Sequence, residues 1–138
     1  MAKIKKIDHV ALITGDLETA LGFWHDVLGL DLGGVEDVSA EQSAVAFMPV
    51  GDSEIELVKP TTMDSGLARY LEKRGPGMHH ICLEVDNIEE MLARLKEKDI
   101  HLINDSPVSG LDGRKYAFIH PKSTGGVLVE LYEIRADA

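Results

Sequence analysis

Cysteine is almost missing from this chain: Cys82 is the only one among 138 residues. That rules out an intrachain disulfide framework and suits a reducing cytoplasm. Cations are scarce too. Fourteen Lys and Arg stand against 24 Asp and Glu, a formal net charge of −10, and such a surface repels nucleic acid and anionic membranes alike. An anionic small molecule would be accepted only where a local basic patch or a metal offsets that charge. Aromatic residues make up 5% of the chain, too few to line an aromatic binding groove. No apolar run nears the roughly 20 residues of a membrane span. The basic start, Met1 to Lys6, leads directly into a strand pattern without the apolar h-region of a signal peptide. The expectation is a cytoplasmic protein acting on a small molecule, with neither nucleic acid nor membrane as partner.

What the chain does have is a repeat. Ile7-Asp8-His9-Val10-Ala11-Leu12 returns as Met78-His79-His80-Ile81-Cys82-Leu83. The match continues without a gap, with Gly15-Asp16-Leu17-Glu18-Thr19-Ala20-Leu21 lying over Asp86-Asn87-Ile88-Glu89-Glu90-Met91-Leu92. Each half closes on an acid in an apolar run, Glu56 in Ile55-Glu56-Leu57-Val58 and Glu130 in Val129-Glu130-Leu131-Tyr132. Each half alone would bury little apolar surface, so the two are expected to share a core within one domain or with a second chain.

The periodicity of each half predicts β-α-β-β-β. In the first, Ile7 to Ile13 is a strand. Asp16 offers an N-cap to a helix carrying Leu17, Ala20, Leu21, Trp24 and Leu28 up to Gly29. Leu30 to Val38 reads as a strand bent at Gly33-Gly34, and Ala44–Met48 with Glu54–Val58 as a hairpin turned at Gly51-Asp52-Ser53. A connector from Pro60 to Gly77 holds a short helix capped by Asp64, with Leu67, Ala68 and Leu71 on one side. The second half repeats the order: strand His80–Val85, a helix to about Lys98, strand His101–Asn104, a loop at Gly110 to Gly113, and a hairpin of Tyr116–Ile119 and Val127–Tyr132. Module one is expected over about residues 4–60, the connector over 61–77 and module two over about 78–135. The predicted class is α+β, with two tandem modules forming a curved mixed sheet around a concave metal pocket.

Strand parity carries the chemistry. Val10 and Leu12, like Ile81 and Leu83, are expected under the helices, which sends His9 and His80 to the opposite face. Ile55/Leu57 and Val129/Leu131 likewise leave Glu56 and Glu130 on the histidine side. Singly, such residues are commonly structural or solvent-facing. Jointly, two imidazoles and two carboxylates in matched positions suit one borderline divalent ion such as Co²⁺, Mn²⁺, Ni²⁺, Zn²⁺ or Fe²⁺. The remaining candidates have blander readings. His79 has the wrong parity, Cys82 is a small buried residue on the His80 face, and His25, His101 and His120 have no evident partners for ligation. Lys122-Ser123-Thr124-Gly125-Gly126 lacks the strand–loop–helix setting of a phosphate loop and reads as a hairpin turn.

These residues resemble the vicinal oxygen chelate superfamily, the glyoxalase/bleomycin-resistance/dioxygenase group, and more narrowly its methylmalonyl-CoA epimerases. The narrower resemblance is carried by Ile7–Ala11, Val50–Leu57, Gly77–Ile88 and His120–Leu131. It implies that His9, Glu56, His80 and Glu130 hold one divalent metal per chain, often cobalt. A cytoplasmic homodimer, an acyl-CoA substrate and a place in propionate metabolism are implied as well. The reaction would remove the C2 proton between a thioester and a carboxylate and return it on the other face, with the metal chelated by substrate oxygens. Glu130 is the first candidate acid/base, with Glu56 or Glu41 as its partner across the reacting carbon. Two departures stand out. Some epimerases carry Gln where this chain has Glu56, and some place a second catalytic Glu where Ala46 stands here. The other readings of the same resemblance are glyoxalase I, acting on the glutathione hemithioacetal of methylglyoxal, and a drug-binding resistance module.

Overall fold

A computed structural model describes residues 1–110 and 113–134. Among them are eight strands and three α-helices, so the class is α+β as expected. The expected loop at Gly110 to Gly113 and the far end of module two fall partly outside the described residues. The chain divides into two compact units, His9 to His79 and a second made of His80 onward together with Met1 to Asp8.

In the first unit the strands are β1 (Ile4–Ile13, from His9), β2 (Gly34–Val38), β3 (Ser43–Val50) and β4 (Ser53–Pro60), in the order β2-β3-β4-β1. β4 runs parallel to β1 and antiparallel to β3. Asp16 starts helix α1 (Leu17–Leu21) by accepting from the Glu18 and Thr19 amides at 3.0 and 3.4 Å. The helical path then widens into a π-turn segment, Gly22–Val27, and ends at Gly29, whose φ of +89° suits glycine. Leu17, Ala20, Leu21 and Trp24 pack on Ala46, Met48 and Leu57, the helix-side core. Ala11, Val45 and Val58 form a second cluster on the opposite face, covered by Leu67 of α2 (Gly66–Arg74). The α2 cap is Ser65, whose Oγ accepts from the Ala68 amide, and not Asp64; the Asp64 carbonyl takes the Arg69 guanidinium instead. β2 begins only at Gly34, later than the expected Leu30.

The second unit repeats this plan with β5 (Gly77–Val85, from His80), β6 (Val108–Ser109), β7 (Lys115–Ile119) and β8 (Val129–Glu133), in the order β5-β8-β7-β6. β8 runs parallel to β5, and Asn87 caps α3 (Ile88–Glu97) through the Glu90 amide. Ile88, Met91 and Leu92 meet Leu131, Ala117 and Ile119. Ala2 joins this core; its amide donates to Glu90 and its carbonyl accepts from Arg94, both on α3. The chain's first residues are therefore pinned to the later unit. The expected strand at His101 to Asn104 is not one. Leu102 makes a single bridge to Ile119, while the His101 amide goes to Ser123 Oγ and the Phe118 amide to Asn104 Oδ1. Two backbone bonds, from the His120 amide to the His101 carbonyl and from the Ile103 amide to the Phe118 carbonyl, flank that bridge, and the short strand forms later, at Val108.

Candidate active site

The parity argument holds inside each unit. In the first, the β1–β4 register sets Ala11 beside Glu56 and Leu12 beside Leu57. His9, Ala11, Glu54 and Glu56 thus share the face turned away from α1. His9 is buried, and its Nδ1 lies 3.2 Å from Glu56 Oε2. In the second unit the register sets Cys82 beside Glu130 and Leu83 beside Leu131, so His80, Cys82 and Glu130 share the face turned away from α3. His80 Nε2 lies 3.0 Å from Glu130 Oε1. All four side chains are 10–15% exposed, reachable but largely desolvated. In both units the residue two places after the histidine, Ala11 or Cys82, is the register partner of the glutamate. The internal repeat is thus one of geometry as well as of sequence.

Each pair suits a metal. Neighbouring ligand atoms on one ion, at bond lengths of roughly 2.0–2.2 Å, lie about 3 Å apart, which is the spacing both pairs show. An imidazole with a carboxylate is also a donor set for the borderline divalent ions.

The antiparallel strands add what sequence reasoning missed. Phe47 of β3 stands opposite Glu56, and Phe118 of β7 stands opposite Glu130. The Phe118 ring meets His80 edge-on, with centroids 5.5 Å apart at 85°. An aromatic in the same register position of both units would have been a usable signal, had the hairpins been aligned as closely as the opening strands. Ala46 is corrected by the same register. It pairs with Leu57, is fully buried, and belongs to the helix-side core. The β3 residues on the glutamate face are Ser43, Val45, Phe47 and Pro49, so no acid stands there on β3. Glu41 is exposed in a 3₁₀ turn, Ser39–Glu41, before β3 begins. Six residues separate it from Phe47 along the chain.

Tyr132 lies on the Glu130 face two residues further on, and its hydroxyl accepts from Arg114 Nη1 at 2.9 Å. Burial raises the phenol above its ordinary range, reinforced by the Asp8 and Glu130 carboxylates and opposed by the Arg114 guanidinium. The other histidines are structural. His25 Nδ1 bonds the Leu30 carbonyl at 2.5 Å, and His79 packs edge-on against Tyr70. His101 and His120 stack at 4.3 Å, with His120 Nδ1 accepting from the Lys122 amide at the hairpin turn. A cavity of about 470 Å³ lies in the first unit among Val10, Leu12, Ile55, Leu57 and Trp24. It backs the strands on the helix side and carries none of the His–Glu chemistry.

The chain is similar to known proteins in sequence and in fold. Residues 8–118 match the model of the Glyoxalase/Bleomycin resistance protein/Dioxygenase superfamily. The chain is 40% identical to the mitochondrial methylmalonyl-CoA epimerase of Mus musculus, over 94% of this chain and 73% of that protein. It superposes on the crystal structure of methylmalonyl-CoA epimerase from Mycobacterium tuberculosis with a TM-score of 0.85 at 32% identity, covering 97% of this chain and 91% of the other. A methylmalonyl-CoA epimerase solved in complex with methylmalonyl-CoA and NH4+ gives 0.84 at 28% identity, covering 97% of each chain.

Proposed function

The chain belongs to the Glyoxalase/Bleomycin resistance protein/Dioxygenase superfamily, and within it we propose that it is a methylmalonyl-CoA epimerase, interconverting the (2R) and (2S) thioesters through an enolate. The observation that carries this reading is the His–Glu pair present once in each unit, His9 with Glu56 and His80 with Glu130, in a chain 40% identical to a named epimerase. The same identity favours the epimerase over glyoxalase I. These four residues would hold one divalent ion, cobalt first among Co²⁺, Mn²⁺, Ni²⁺, Zn²⁺ and Fe²⁺. When bound, such an ion supplies the positive charge that an enolate oxygen and an anionic substrate need inside an acidic protein.

The proton work falls to the chain. Glu130, in the carboxylate form, takes the C2 proton at one oxygen, and the electron pair of the C–H bond passes into the thioester as an enolate. Its burial keeps bulk water from competing, and His80, 3.0 Å away, orients the carboxylate. Return of a proton to the opposite face completes the inversion. Glu56 is the proposed donor there. Glu41, exposed in the 3₁₀ turn before β3, is the second candidate and would have to fold inward. Ala46 offers no acid, and its face excludes one. A homodimer in the cytoplasm, serving propionate metabolism, completes the proposal; among the described residues no helix is long and apolar enough to cross a membrane.

The test is turnover of a single methylmalonyl-CoA epimer in D₂O by the metal-reconstituted protein. Deuterium entering C2 with loss of stereochemistry is the expected result. Turnover of the methylglyoxal–glutathione hemithioacetal alone would overturn the proposal.

A further inference from the structure

From the ring contact between them we infer that Phe118 is a positioning residue for His80. It holds the imidazole in the orientation that presents Nε2 on the Glu130 side, and Asn104 in turn holds Phe118. The inference deepens the metal-site reading of the His80–Glu130 pair and rests on it.

A histidine does not fix its own ring. The χ2 torsion of an imidazole is broad and soft, so a ligand histidine needs neighbours to set its plane. The bond to Glu130 Oε1, 3.0 Å from Nε2, is one such hold, but it depends on a proton between the two atoms. Ligand atoms must be deprotonated, so that hold is lost when both serve a cation. Phe118 supplies one that no proton carries. Its ring stands perpendicular to the imidazole, with centroids 5.5 Å apart and planes at 85°. In that arrangement the positive edge of one ring meets the negative face of the other, and turning the imidazole about χ2 would break the contact. The register keeps the contact where it is needed, since Phe118 is the β7 partner of Glu130.

Phe118 is itself held at its ring, its amide and its carbonyl. Tyr116, two residues earlier on the same face, meets the ring edge-on with centroids 6.1 Å apart. The outer neighbour of β7 is β6, only Val108–Ser109, and it pairs with Tyr116 and Lys115. At Phe118 the outer edge of β7 is therefore left to other partners. Asn104 Oδ1 takes the Phe118 amide at 2.8 Å, and the Phe118 carbonyl accepts from the Ile103 amide at 2.9 Å. The segment from His101 to Asn104, which makes a single bridge and no strand, thus anchors the backbone of the residue that steadies His80. Such outer supports of a ligand commonly govern metal affinity without touching the ion.

The test is the Co²⁺ affinity of the chelator-treated protein, read by competition with a chromophoric chelator, in wild type and four variants. Phe118→Leu keeps apolar bulk and removes the ring, and should raise the Co²⁺ Kd about 3- to 10-fold. Phe118→Tyr keeps a ring and should stay within about twofold of wild type. Asn104→Ala should raise Kd about 2- to 5-fold. Ile119→Val is the control. Ile119 lies on the same strand but in the core beneath α3, so its truncation should lower Tm and leave Kd unchanged. A Phe118→Leu Kd within about twofold of wild type, or an equal loss of affinity in Ile119→Val, overturns the inference. Should Phe118→Leu fail to fold, Asn104→Ala decides in its place, with an unchanged Kd as the overturning result. A wild type that takes up no Co²⁺ overturns the metal reading of the pair itself, a result separate from any variant.

Discussion

Replacing Ala46 by glutamate tests the register that governs the active-site face. Ala46 is fully exposed to core and not to solvent, packed with Met48 and Leu57 beneath Leu17, Leu21 and Trp24. A carboxylate there has no partner and would remain protonated at pH 7. Holding a group of ordinary pKa near 4.3 neutral at that pH costs about 3.7 kcal/mol. Four further heavy atoms in a filled site add about 1–3 kcal/mol. The total, about 5–7 kcal/mol, is a large part of the roughly 5–15 kcal/mol that holds a domain folded. At this chain length it corresponds to a fall in Tm of roughly 15–30 °C. Phe47→Glu is the control. Phe47 is half-buried on the Glu56 side, so its replacement should cost only about 1–3 kcal/mol of apolar burial. Thermal unfolding followed by circular dichroism reads both. If Ala46→Glu melts with the wild type, or if Phe47→Glu is the more damaging change, the β3 register is wrong by one residue.

The other predictions concern the ligands, a cap and a pH dependence. His80→Ala should lower bound metal per chain, read by elemental analysis, before it lowers Tm; undiminished metal with full activity would refute the ligand role. Glu130→Gln should reduce turnover by at least about 1000-fold while substrate still binds, and a rate within tenfold of wild type would refute it as the base. Asn87→Ala removes the side-chain cap of α3 and should cost about 1 kcal/mol in urea unfolding; no change in midpoint would show that the cap contributes nothing. Lys115 holds the Glu89 carboxyl below its ordinary value of 4.5. The folded pKa is thus depressed, and the pair's stabilisation is present above that ordinary value and lost as pH falls through the folded one. Because Glu89 is 53% exposed, solvent screening limits the effect to a few tenths of a kcal/mol. The stability difference between wild type and Lys115→Met should therefore be visible at pH 7 and shrink as pH falls below 4.5, and a difference constant with pH would contradict it.

Much of the site was legible because strand alternation and helix capping are local. His9 next to Val10 and Leu12 shows its own face, and so do Glu56, His80 and Glu130. Asp16 announced its helix and caps it, and Asn87, its counterpart in the repeat, caps the second. Where a segment pairs for only a residue or two, local pattern misled. His101 to Asn104 has strand composition, yet it makes a single bridge to Ile119, its His101 amide going to Ser123 Oγ while the Ile103 and Asn104 amides converge on the Phe118 carbonyl. Asp64 and Ser65 are both plausible caps, and only the path into α2 selects Ser65. Ala46 shows the other limit: its face is set by the β3–β4 register, which turns it to the helix-side core, away from Glu56.

By itself, then, the sequence determined the duplication, the α+β class and the face on which each histidine and glutamate stands, since each follows from neighbours along the chain. Tertiary structure alone decided which residues confront them. Phe47 meets Glu56, Phe118 meets Glu130 and His80, and Arg114 reaches Tyr132. Those pairings depend on register between segments that the chain's local pattern does not align, and register is set when paired strands bury their apolar faces together and by the turn that joins them.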